Sequence, residues 1–192
     1  MEWDHLFDDL EDQLAAEWEA ERAALDAESE RLRIAKLALR DRLRTIPQGA
    51  PVLLELADGG RLHGRMQEVG ADWLALAAEA APARVTIVPL RAVEAVGVDH
   101  GMLLATLEPD QPAPGIRERM TFGFMLRDLA RRRIPVRLGL RSGDPRHGTI
   151  DRAGADHLDL ALHDPGEPRR ARAVRGHRMI PLDAVVWVRP EP

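Results

Sequence analysis

The side chains best suited to chemistry fall at repeated positions. His63 and His147 occupy the same place in two similar segments, and so do Asp72 and Asp156. Paired imidazoles suit a metal ion, and paired carboxylates suit proton transfer. Neither set is complete. No Asp, Glu or His stands at ligand spacing from His63 or His147, and His157, His163 and His177 match no zinc spacing. The plainer alternatives are outward-facing histidines on a strand and turn aspartates that hydrogen-bond nearby backbone N–H groups. There is no cysteine, which excludes thiolate ligands and disulfides. Nucleophile elbow, phosphate loop, dinucleotide fingerprint and zinc-hydrolase patterns are all missing. The expectation is a non-enzymatic protein with no metal, no cofactor and no evident small-molecule substrate.

One cluster points to anions. Arg169, Arg170, Arg172, Arg175 and Arg178 lie within ten residues, and Arg131, Arg132 and Arg133 precede them in the same half of the chain. Guanidinium forks bind phosphate oxygens two at a time. These five arginines, with Trp73 as a possible stacking surface, are the candidate nucleic-acid contacts, and RNA is a possible partner. No aromatic residue interleaves the loop, so base stacking there is unsupported. Trp73 could equally pack in a core. The arginines could equally dock the acidic N-terminus or remain solvated.

Charge is segregated along the 192 residues. Residues 1–30 hold twelve acids and one base, Arg22, whereas the net charge of the whole chain is -5. The remainder is therefore mildly basic, at +6. Lys36 is the one lysine among 27 basic residues, a bias suggestive of a GC-rich bacterial genome. No apolar run approaches the ~20 residues that span a bilayer, and the N-terminus has no signal-peptide pattern. A cytoplasmic location without membrane association is expected.

Positioning begins with a long helix. Residues 3–46 contain no glycine or proline and are rich in Ala, Leu, Glu and Arg. Trp3, Phe7, Leu10 and Leu14 share one face. Leu25, Leu32, Leu39 and Ile46 recur every seven residues, and Leu43 completes the stripe. The spacing predicts a coiled-coil-like helix over 1–46, ended by Pro47-Gln48-Gly49. Leu25, Leu32, Leu39, Leu43 and Ile46 are the candidate partner-binding residues, for self-association or a partner protein. Acids first and bases last favour antiparallel pairing.

The rest of the chain is duplicated. Residues 51–78 and 135–162 share thirteen of 28 identities at an offset of 84, and Val88-Pro89-Leu90 matches Ile180-Pro181-Leu182 after an insertion of eight residues. Each copy reads as five short strands with a glycine turn at Gly59 or Gly143. Pro109, Pro112, Pro114 and Gly115 mark a linker over 99–115, and residues 116–133 look helical.

The run Leu54-Glu55-Leu56-Ala57-Asp58-Gly59-Gly60-Arg61-Leu62-His63-Gly64, with Thr86-Ile87-Val88-Pro89-Leu90, resembles the Sm-like family. The resemblance implies small bent barrels that pair by edge strands, commonly form rings and bind RNA. The family's base-gripping asparagine is not matched, because Ala75 and Asp159 stand in that stretch, and its Arg-Gly is absent. The expected architecture is mainly β with α: an amphipathic helix (1–46), a first barrel (47–98), a linker (99–115), and a helix plus second five-stranded barrel (116–190). The expected role is assembly or adaptor, with RNA binding as the alternative.

Overall fold

The computed structural model describes residues 2–79, 81–107, 115–166 and 169–191, with side chains from Gln13 onward in the first helix and without those of residues 82 and 83. The side chains of Trp3, Phe7 and Leu10 of the sequence stripe, and the linker residues Pro109, Pro112 and Pro114, lie outside what is described. The chain divides into a unit of residues 1–38 and a unit of residues 39–192.

The first unit is one helix, α1 (Glu2–Ala35), of 34 residues. The long helix expected over 1–46 stops earlier than its composition suggests. Lys36 and Leu37 bond back three residues, to Arg33 and Ile34, which tightens the last turn. A separate short helix, α2 (Leu39–Arg44), belongs to the second unit. Burial decides its separate fate. Leu43 is 2% exposed and Ile46 is 6% exposed, both within the core of the sheet.

The second unit is built on a single open antiparallel sheet. Its strands are β1 (Pro51–Leu56), β2 (Arg61–Val69), β3 (Trp73–Ala78), β4 (Ala81–Pro89), β5 (Val93–Gly97), β6 (Pro135–Leu140), β7 (Arg146–Ala153), β8 (His157–Leu162), β9 (Gly176–Pro181) and β10 (Val185–Pro190). Their order is β5-β1-β2-β3-β4-β10-β6-β7-β8-β9. Two further helices, α3 (His100–Ala105) and α4 (Phe122–Arg132), complete it.

This order overturns the two separate Sm-like barrels. The edge of β4 bonds to β10, with Val188 opposite Ile87, and Arg189 Nε donates to Thr86 Oγ1 at 3.1 Å across the same junction. An unpaired strand edge is a liability, and here the first half finds its partner in the second. The cores are shared accordingly. Leu74 and Leu76 of β3 pack with Leu43, Val52 and Val186, whereas Trp73 and Ala75 pack with Phe122, Leu126 and Val188. Strand β3 is thus buried on both faces from Trp73 to Ala77, as a strand covered on two sides must be.

Several local readings follow the sequence pattern. Val52, Leu54 and Leu56 alternate inward. Gly59 and Gly143 adopt φ of 76° and 87° in their hairpin turns, a region that suits glycine. The segment read as linker contains a helix instead. Asp99 accepts from Met102 N at 2.9 Å and caps α3. Beyond it, the buried Thr106 hydroxyl accepts from Arg42 Nη2 at 2.8 Å.

Candidate functional site

Two surfaces stand out, one in each unit. On α1 every described side chain from Gln13 to Ala35 is exposed except Arg33, which is partly covered by Glu30. Leu14, Trp18, Leu25 and Leu32 are 54, 72, 64 and 55% exposed. At about 100° per residue these four fall within an arc of roughly 40°. They form one apolar line flanked by Glu21 and Glu28.

The expected partner-binding set is divided by this geometry. Leu25 and Leu32 lie on the α1 line. Leu39 is half exposed on α2. Leu43 and Ile46 are core residues, so they cannot present a surface to a partner. Trp18 was not singled out in the sequence, although it stands four residues after Leu14 and seven before Leu25, about 6 and 10 Å away along the helix axis.

The second surface is a cleft of about 510 Å³ on β7, β8 and β9, lined by Arg133, Asp151, Arg152, Asp159, Arg169, His177, Arg178 and Met179. Asp151 organises it. Its carboxylate, 15% exposed, accepts from Arg133 Nη1 at 2.7 Å and from Arg169 Nη2 at 2.6 Å, and His177 Nε2 stands 3.9 Å away. The Arg169 hydrogen bond, with the charges of Arg169, Arg133 and His177, holds the Asp151 carboxyl below its ordinary range against the opposing effect of burial. Arg152 faces Asp159 at 3.6 Å.

The five loop arginines are therefore not one patch. Arg169 and Arg178 line the cleft, while Arg170 and Arg172 do not. Arg175 pairs with Asp164. Arg131 and Arg132 both bind Asp128, at 2.6 and 2.8 Å. Asp151 and Arg152 went unnoticed in the sequence, although the difference between the copies marks them. The first copy has Gln67 and Glu68 there, and it lacks the insertion that carries the loop arginines.

Trp73 is 4% exposed, and its Nε1 donates to Met120 O at 2.8 Å. Its faces are packed and unavailable to a base. Asp72 Oδ1 accepts from Phe122 N at 2.6 Å, which makes it a helix-start acceptor, while Asp156 Oδ1 meets His157 Nδ1 at 2.8 Å.

The histidines diverge in the same way. His63 is exposed on β2. His147 bonds the carboxylate of Glu191 at 2.8 Å and the carbonyl of His163 at 2.9 Å, and the buried His163 meets Thr149 Oγ1 at 2.8 Å. Among the described residues no group of three or more His, Cys, Asp or Glu is arranged to hold a metal ion, and no helix is long and apolar enough to cross a membrane.

No protein-family model, no curated protein and no solved structure matched this chain.

Proposed function

We propose that the protein is a non-enzymatic assembly or adaptor module, in which α1 recruits a helix of matching pattern and the ten-stranded sheet serves as the platform. The observation that carries this reading is the exposed line Leu14, Trp18, Leu25 and Leu32. Four large apolar side chains on one narrow stripe gain most by burial against a similar stripe.

A second copy of the chain offers such a stripe, and charge argues for its direction. Parallel copies would set the acids of residues 1–30 beside one another. Antiparallel copies bring Arg31 and Arg33 of one helix toward the acidic portion of the other. The chain has no cysteine, so orientation is testable on a clean background. Chains carrying Gln13→Cys and Arg31→Cys, mixed and treated with a short bismaleimide, should give mainly the mixed cross-link. Cross-links confined to like chains, or none at all, would contradict the reading.

A further inference from the structure

The cleft around Asp151 has one uncommon backbone feature. Arg133, at the C-terminal end of α4, has φ of 54° and is the one non-glycine residue with positive φ among the described residues. That backbone region favours glycine, and a larger residue there is strained. Two residues before the first strand of the first half, where the chain also takes positive φ, the residue is a glycine, Gly49, at φ of 85°. Strain retained in this way marks a side chain with work to do.

The work is legible in what surrounds it. Asp151 anchors Arg133 through Nη1 and Arg169 through Nε and Nη2. Those bonds fix both guanidinium planes and leave further N–H donors on each fork. Arg178 lines the same cleft, with its Nη1 donating to the carbonyl of His177 at 2.9 Å. Arg152 stands on the same wall, at a looser 3.6 Å from Asp159. Four arginines and His177 thus face two carboxylates, so the cleft keeps a net positive charge.

The carboxylates and the loop of this arrangement have no counterpart in the first copy. Gln67, Glu68 and Ala75 stand where Asp151, Arg152 and Asp159 stand, and the insertion carrying Arg169 is missing. The side chain of Met179, 81% exposed, adds an apolar wall.

We propose that this cleft binds the phosphate group of a small phosphorylated ligand, with Arg133, Arg169 and Arg178 as the oxygen-binding residues and Asp151 as the carboxylate that positions the first two. Preorganised guanidinium forks suit a compact dianion, since each can bond two of its oxygens. The absence of Phe, Tyr and Trp from the lining argues against a base-stacking strand of nucleic acid. Arg170 and Arg172, which an extended polyanion would also engage, lie outside the cleft.

The test is calorimetric titration of the full chain with inorganic phosphate and with phenyl phosphate, at fixed ionic strength. Saturable binding is expected for both. Tighter binding of phenyl phosphate would identify an organic ester as the ligand, and equal affinities would identify the free ion. Arg178→Ser, which removes no ion pair, should weaken binding by roughly tenfold. Arg133→Gly should weaken it comparably while leaving the melting temperature unchanged or higher, because it relieves the backbone. Arg172→Ser should have no effect. No saturable binding, or equal losses in Arg172→Ser and Arg178→Ser, would overturn the proposal. So would a ten-nucleotide RNA bound through Arg170 and Arg172 as strongly as through Arg178.

Discussion

The carboxylate of Asp72 accepts a hydrogen bond from the backbone N–H of Phe122 at 2.6 Å. Asp72 lies in the turn between β2 and β3, and Phe122 opens the helix that covers the other half of the sheet. Beside this bond, Met120 O accepts from both Ala71 N, at 2.9 Å, and Trp73 Nε1, at 2.8 Å. One turn of the first half therefore fixes where α4 begins. Asp72→Ala should cost about 1 kcal/mol in urea unfolding, the usual worth of a helix-start acceptor. Asp156→Ala, at the duplicated position, should cost much less, since that side chain is 90% exposed and meets only His157.

The duplicated glycines of the second strand in each half differ in how closely the neighbouring strand approaches. A Cβ on Gly64 would lie 2.7 Å from the carbonyl oxygen of Ala77, and one on Gly148 would lie 2.2 Å from that of Ala161. Backbone cannot swing aside as a side-chain tip can. Both Gly→Ala changes should be destabilising by about 1–3 kcal/mol, as overpacking generally is. Thermal unfolding should rank Gly148→Ala as the worse of the two.

Arg44 and Glu118 tie α2 to the turn that precedes α4, with Nε to Oε1 at 3.1 Å and Nη2 to Oε2 at 3.1 Å. The Arg44 hydrogen bond, with that from Gly115 N, holds the Glu118 carboxyl below its ordinary range. A depressed carboxylate stabilises the fold above its unfolded pKa, about 4.3, and that contribution is lost as pH falls through the lower folded value. Asp151 shifts in the same direction. Stability should therefore decline on acidification below about pH 5, and Glu118→Gln should make the decline shallower. An identical acid profile for wild type and variant would remove Glu118 from the account.

Leu43 tests why the helix over 1–46 is divided. It is buried among the side chains of β1, β2 and β3 in one core. Leu43→Ala should cost about 2–5 kcal/mol, the range for a buried leucine. Leu25→Ala, on the exposed α1 line, should cost the second unit nothing in its own unfolding transition.

These contrasts explain what the sequence could and could not reveal. Strand positions were legible because Val52, Leu54 and Leu56 alternate and because Gly59 and Gly143 punctuate both copies. The joining of both halves into one open sheet, in place of two closed barrels, was not, since a strand's periodicity does not say which other strand meets its edge. The five small or apolar residues Trp73–Ala77 carried the hint of two-sided burial. The seven-residue spacing found Leu25 and Leu32, but it ran on through Leu39 and Ile46 because periodicity is blind to a change of partner. The loop arginines were visible as composition. Their division by Asp151, Asp164 and Arg133 depends on long-range pairing, although the differences at Gln67/Asp151 and Glu68/Arg152 between the copies mark the place.

The central claim is that the exposed α1 line is an association surface. Its most direct test is sedimentation equilibrium of the full chain beside a Trp18→Ser, Leu25→Ser, Leu32→Ser variant. None of these side chains is buried, so the variant should keep the β-sheet signal and the melting transition of the second unit. The account predicts that the wild type has a mass above one chain, rising with concentration, and that the variant sediments as a monomer. A wild-type monomer at every concentration, or a variant of unchanged oligomeric mass, would contradict it.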